Sequence, residues 1–199
     1  MVVNSYAEAF RGLKARARVY NLDLALKFAR EAAVEAAPDS SSRVFTIPQI
    51  QGLTTTYFVR LELTDSAARQ VSTNFYWLST KPETLDWDKS EWYYTPVKTH
   101  ADLRGLETLP AVKLKVSGRP EPKGDEQTMH VTVENHSKLL AFAARLKITM
   151  GKGGEEVLPV WWEDNYFSLL PGEKREIKAT YRVKDLGKAE AAVEASCGF

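Results

Sequence analysis

The sequence is poor in the residues that usually carry chemistry. It has one cysteine, Cys197, and three histidines in 199 residues. One cysteine excludes an internal disulfide, and no Cys/His grouping has metal-ligand spacing. No hydrophobic run approaches the ~20 residues of a membrane span. The opening "MVVNSYAEAFRG" holds no apolar segment of signal-peptide length. Val2 and Val3 read as strand at once, as if cut from a longer chain.

An excess of either charge is also missing. Residues 1–109 hold 13 basic and 13 acidic side chains, and residues 110–199 hold 14 and 13. Neither half offers the basic surface that nucleic acid or an anionic membrane would require, so neither partner is expected. Hydrophobic residues make up 44% of the chain, enough for one large core or two small ones.

What is abundant is alternation. "GLKARARVYN" places Leu13, Ala15, Ala17 and Val19 on one face and Lys14, Arg16 and Arg18 on the other, a half-buried strand. "TYFVRLELTD" repeats the pattern with Tyr57, Val59, Leu61 and Leu63 inward. The polar "TDSAARQ" then turns into "QVSTNFYWLS", a hairpin. "RVFTIPQI" is expected as a short strand, with Pro48 at an edge or end. "LDLALKFAREAAVEAA" conflicts with its neighbours. Propensity favours helix, but flanking strands and the even spacing of Leu26, Phe28 and Val34 favour a strand or broken strand pair.

Residues 80–110 lose the alternation but carry Trp87, Trp92, Tyr93 and Tyr94, and are expected as a packed, irregular connector. Alternation resumes with Val112, Leu114 and Val116, then a turn at "GRPEPKGDE". It continues with Met129, Val131 and Val133 opposite His130, and with Ile177, Ala179 and Tyr181. Six or seven short strands punctuated by turns predict an immunoglobulin-like sandwich. The first half has a similar count. The expected fold is all-β, two tandem immunoglobulin-like β-sandwich domains, 1–109 (with the connector 80–109) and 110–199.

The richest stretch is "VWWEDNYFSLLPGE". Trp161 and Trp162 must point to opposite faces of a strand, so one fills the core and the other is exposed or packs elsewhere. An exposed indole can stack on a sugar; a domain contact is the commoner use. Glu163 and Asp164 diverge for the same reason. Glycoside hydrolysis needs two carboxyl groups roughly 5–10 Å apart across a cleft, so this is no catalytic pair. Asp164 and Asn165 are expected to turn the backbone, and "LLPGE" to form a type II turn. His136 in "ENHS" reads as a solvated turn histidine. "GKGGEE" lacks the ending of a phosphate loop and reads as a hairpin turn. Cys197 has no activator nearby. No catalytic, cofactor or metal residue emerges. Possible sugar or domain contacts are Trp161, Trp162, Asp164, Asn165, Tyr166, Trp87 and Trp92.

Three stretches together, "YFVRLELTDSAARQVSTNFYWLS", "DWDKSEWYYTP…HADLRGLETLP" and "WWEDNYFSLLPGEKREI", resemble the C-terminal part of glycoside hydrolase family 2 enzymes. The similarity is to exo-β-D-glucosaminidases and their β-mannosidase-type relatives. Its most specific parts are Asn74-Phe75-Tyr76-Trp77 and Asp164-Asn165-Tyr166-Phe167 with Leu170-Pro171-Gly172-Glu173. "TDSAAR" departs from the family's usual Gly-containing turn. The resemblance implies two immunoglobulin-like domains that follow a TIM barrel carrying the catalytic glutamates. None of those motif positions has a counterpart here. It implies a non-catalytic accessory region, without cofactor, of a secreted or periplasmic retaining exo-glycosidase. Its partners would be that barrel and a chitosan- or mannoside-type saccharide. An autonomous carbohydrate-binding module and a protein-interaction sandwich are the alternatives.

Overall fold

The computed structural model describes residues 1–198 and is all-β. Its strands are β1 (Val2–Asn4), β2 (Phe10–Asn21), β3 (Leu26–Ala36), β4 (Ser40–Ser42), β5 (Thr56–Thr64), β6 (Gln70–Ser79), β7 (Thr84–Leu85) and β8 (Val97–Thr99). These are followed by β9 (Lys115–Lys123), β10 (Glu126–Glu134), β11 (Ala141–Met150), β12 (Trp161–Trp162), β13 (Phe167–Leu169), β14 (Lys174–Arg182) and β15 (Ala191–Ser196). The only helical pieces among the described residues are three short 3-10 turns. The chain divides into two compact units, Met1–Leu106 and a second beginning at Glu107.

The first unit is built on an antiparallel sheet in the order β3-β2-β5-β6, with the small pairs β1-β4 and β7-β8 beside it. On β2 the alternation holds: Leu13, Ala15, Ala17 and Val19 are buried. The central strand β5 departs from the expectation of one inward face. Val59 is buried on one side, but Thr56, Phe58 and Arg60 are buried on the other. A central strand covered on both faces cannot show clean alternation. Phe58 is stacked on Phe75 at 5.3 Å. Arg18 and Arg60 lie directly opposite each other in the ladder. Glu62 bridges them, 2.5 Å from Arg18 and 3.8 Å from Arg60.

The Ala-rich segment is one continuous strand, β3, not a helix and not a broken pair. It is paired to β2 from Phe10↔Ala36 to Tyr20↔Leu26. Glu31 faces Lys14 and Arg16 at 3.1 and 2.5 Å. Exposed ion pairs contribute at most ~1 kcal/mol, so the backbone ladder and the half-buried Phe28, Ala32 and Val34 overcome the helix propensity. "RVFTIPQI" is not a strand. Pairing ends at Ser42, and the stretch runs on as irregular chain. Pro48 supplies no N–H for a ladder, and Phe45 is held instead under the Arg30 guanidinium at 5.3 Å.

The second unit packs a four-stranded sheet, β12-β14-β10-β9, on a three-stranded one, β13-β11-β15. Both inner faces supply the core, with Met129, Val131, Leu146, Ile148, Val157 and Tyr181 at 1% exposure or less. Each such side chain contributes roughly 1.5–3 kcal/mol on burial. "GRPEPK" is not a turn. Residues 118–123 continue β9, and only Gly124 and Asp125 turn. β9 is an edge strand, so Pro120 and Pro122, two residues apart, can share the unpaired side.

Candidate functional site

Two aromatic clusters carry the residues singled out above. The first is the corner at 160–173. β12 is two residues long and pairs with β14 as Trp161↔Thr180 and Trp162↔Ala179. Trp162 turns inward and packs on the core, while Trp161 is 54% exposed on the outer face.

The carboxylates beyond it separate. Glu163 continues the ladder: its N–H donates to the Lys178 carbonyl, and its Oε2 accepts the Lys178 N–H at 3.0 Å. Asp164 does not turn the backbone as expected. It pairs with Arg175 at 2.5 Å, and that guanidinium also lies 4.6 Å from the centre of the Phe167 ring. Asn165 does turn the backbone. Its Oδ1 accepts the Leu146 N–H at 2.8 Å, and its Nδ2 donates to the Leu146 carbonyl at 2.9 Å. One side chain therefore stands in for a strand residue against β11. Oδ1 also accepts the Tyr166 N–H, and Tyr166 takes a positive φ of 59°. That conformation turns its ring out, at 64% exposure. Beside it, Glu156 and then the Tyr166 hydroxyl hold the Arg145 guanidinium above its ordinary pKa. The corner ends where Glu173 N–H donates to the Leu170 carbonyl and Gly172 sits at φ 77°, the type II geometry.

The second cluster is a finger between β7 and β8. It is ordered by backbone bonds rather than by packing. Asp86 N–H reaches the Pro96 carbonyl at 2.8 Å, Glu91 and Tyr94 exchange N–H bonds, and the Ser90 and Thr95 hydroxyls meet at 2.7 Å. The expectation that its aromatics pack does not hold. Trp87, Trp92, Tyr93 and Tyr94 are 71%, 93%, 70% and 55% exposed. With so short a ladder, ten residues cannot enclose four large rings. Trp92 and Tyr93 meet edge to face at 5.1 Å, and Tyr93 and Tyr94 lie nearly parallel at 6.4 Å. Asp88, Lys89 and Glu91 are interleaved with them, and Asp86, just before Trp87, pairs with Lys89 at 3.4 Å.

The remaining candidates are structural. His136 bonds the Glu134 carboxylate in an exposed turn, and Glu134 titrates below its usual range chiefly for that reason. Asn135 beside it is fully buried and donates to the carbonyls of Leu139 and Leu169. In "GKGGEE" the chain folds back, with Met150 N–H on the Glu155 carbonyl. Cys197 is half-buried against the core, and burial pushes its thiol up. Among the described residues, no three His, Cys, Asp or Glu side chains gather to hold a metal ion. Among the described residues, no helix is long and apolar enough to cross a membrane.

Two features escaped sequence reasoning. One is a groove of about 500 Å³ in the first unit, lined by residues that include Val3, Phe45, Ile47, Leu63, Asn74 and Tyr76. The other is the edge strand β6, where Val71, Tyr76, Trp77 and Leu78 are 42–52% exposed. Its signal was readable. Phe75 to Leu78 are four consecutive apolar residues, and a half-buried strand accounts for only alternate ones.

The family model for the exo-β-D-glucosaminidase Ig-fold domain matches residues 92–198. The chain belongs to that family. A second family model, the mannosidase Ig/CBM-like domain, matches residues 1–81. The exo-β-D-glucosaminidase of Streptomyces avermitilis is 40% identical over 98% of this chain but is matched over only 22% of its own length. The crystal structure of the exo-chitosanase CsxA of Amycolatopsis orientalis superposes with a TM-score of 0.89 at 38% identity, over 98% of this chain and 23% of that one. A β-D-mannosidase from Dictyoglomus thermophilum shares the fold, with a TM-score of 0.52 at 16% identity. This chain therefore spans about a fifth of the length of the Streptomyces avermitilis and Amycolatopsis orientalis exo-β-D-glucosaminidases, 22% and 19%.

Proposed function

We propose that this chain is a non-catalytic accessory region of a retaining exo-β-D-glucosaminidase. In this reading two sandwich domains, with a boundary near Leu109–Pro110, support the TIM-barrel catalytic domain of the same parent chain. The observation that carries the proposal is the state of the carboxylates. A glycosidase needs an acid whose pKa is raised and a second carboxyl poised across the bond. Here Asp164 is committed to Arg175. Glu163 and Glu176 do line one dent on the outer face of the second unit, of about 120 Å³. Glu176, however, is ion-paired to Lys174 at 2.8 Å, which lowers its pKa, the direction opposite to that of a general acid. The substrate of the whole enzyme would be a chitosan-type saccharide, as the name of the Amycolatopsis relative suggests.

Contact with the barrel is assigned to strand β6. It is a sheet edge with apolar side chains at Val71, Tyr76, Trp77 and Leu78, and exposed edges of this kind take a partner. The purified chain, assayed alone on p-nitrophenyl β-D-glucosaminide, is expected to give no turnover. Turnover that copurifies with the chain through several columns would overturn the proposal.

A further inference from the structure

We propose that the finger Thr84–Thr99 is a contact site for a chain of protonated amino sugars, a polycation. The ligand class rests on the accessory reading above; the site does not.

The finger exposes the most solvent-accessible indole of the protein, Trp92 at 93%, with Tyr93 at 70% and Trp87 at 71%. The backbone beneath these rings is held. The turn that carries them is closed by the paired N–H bonds of Glu91 and Tyr94 and by the Ser90–Thr95 hydroxyl bond. The ring planes of Trp92 and Tyr93 stand at 73°, so together they offer one face and one edge to a ligand at the tip.

Charge selects the occupant. The chain as a whole carries a formal net charge of +1, while the finger holds three carboxylates, Asp86, Asp88 and Glu91, against Lys89 and Lys98. Lys89 is paired with Asp86 at 3.4 Å, and Asp88 and Glu91 are the carboxylates next to the exposed rings in the chain. The core of a protein–protein interface is depleted in Asp and Glu. Docking this tip against a protein would bury Asp88 and Glu91 beside the rings, at a heavy desolvation cost. An amino-sugar chain meets both features at once. Its C–H faces lie on the indole and phenol rings. Its ammonium groups reach the neighbouring carboxylates and the ring faces, as cations do over aromatic rings. A neutral saccharide would satisfy the rings alone.

The test is a titration of the 199-residue chain with glucosamine hexasaccharide and, separately, with N-acetylglucosamine hexasaccharide, at pH 6 and low salt, read by tryptophan fluorescence and calorimetry. Binding is expected for the amine form, at least tenfold tighter than for the acetylated form and weakened by added salt. Trp92→Ala should lower affinity about tenfold, and Asp88→Asn with Glu91→Gln should erase the preference for the amine. Trp161→Ala should leave binding unchanged. Trp92 is almost wholly exposed, so its replacement leaves the fold intact, which circular dichroism verifies. Absence of binding, equal binding of both oligomers, or wild-type affinity in Trp92→Ala overturns the proposal. So does a Trp92→Ala variant that keeps sugar affinity but loses association with a catalytic domain, which assigns the tip to protein docking. These outcomes leave the accessory reading standing, since that reading falls only on turnover by the isolated chain.

Discussion

Asn165 separates a structural corner from a ligand-binding one. Its amide meets both backbone groups of Leu146, at 2.8 and 2.9 Å, and the Tyr166 N–H at 2.9 Å. Leu146 is 1% exposed and Asn165 is half-buried, so water reaches the lost partners only through the space the shortened side chain leaves. Each net hydrogen bond is worth about 1 kcal/mol, and each orphaned buried group costs roughly 1–3 kcal/mol. Asn165→Ala removes two bonds to Leu146 and orphans two groups, which gives about 2–4 kcal/mol once the Ala pocket relaxes. With a urea m-value of ~1–3 kcal/mol/M, the midpoint of the transition that exposes Trp162 falls by roughly 1–3 M. Asn165→Asp keeps the acceptor but sets a carboxylate oxygen against the Leu146 carbonyl, so it should cost at least as much. The assay is urea unfolding of the two variants beside the wild type, followed by fluorescence and by exchange of the Leu146 amide. An Asn165→Ala variant within ~0.5 kcal/mol of wild type, the range of an ordinary surface change, would refute the reasoning and return Asn165 to the candidates for saccharide contact.

Two further outcomes are expected. Gly118 in β9 has Met129 Sδ 2.7 Å and Val193 Cγ1 2.8 Å from where a Cβ would stand. Gly118→Val should destabilise the second unit by about 1–3 kcal/mol, seen as a lower melting temperature with the first unit unchanged. Asp102 is held at a pKa of about 2, against 3.8 ordinarily, chiefly by the Arg104 guanidinium. A pKa depressed in the fold means a contribution to stability that is present above pH 3.8 and lost as pH falls through about 2. An NMR titration should place the Asp102 midpoint near 2 in the wild type and move it toward 3.8 in Arg104→Gln; an unmoved midpoint would contradict the assignment.

Much of this protein is written in side-chain periodicity. The period-2 pattern of β2, β10 and β14 needs only the pleat to be read, because each of these strands buries one face. The opposed Trp161 and Trp162, the divergent Glu163 and Asp164, and the Pro171-Gly172 turn follow from local backbone geometry in the same way. The short specific stretches led to the right family for the same reason: turns and core positions tolerate few residue types. Tertiary structure decided the rest. Leu26–Ala36 is a strand because β2 offers a ladder along its length, a partner that propensity does not see. β5 is buried on both faces because it is central, and β9 carries two prolines because it is an edge; position in a sheet is not a local property. Asp164 finds Arg175, and Asn165 finds Leu146, only once distant segments meet. The exposure of Trp92 was likewise beyond the sequence: an aromatic residue is buried or displayed according to what the fold brings over it, and here nothing in the described chain covers that ring.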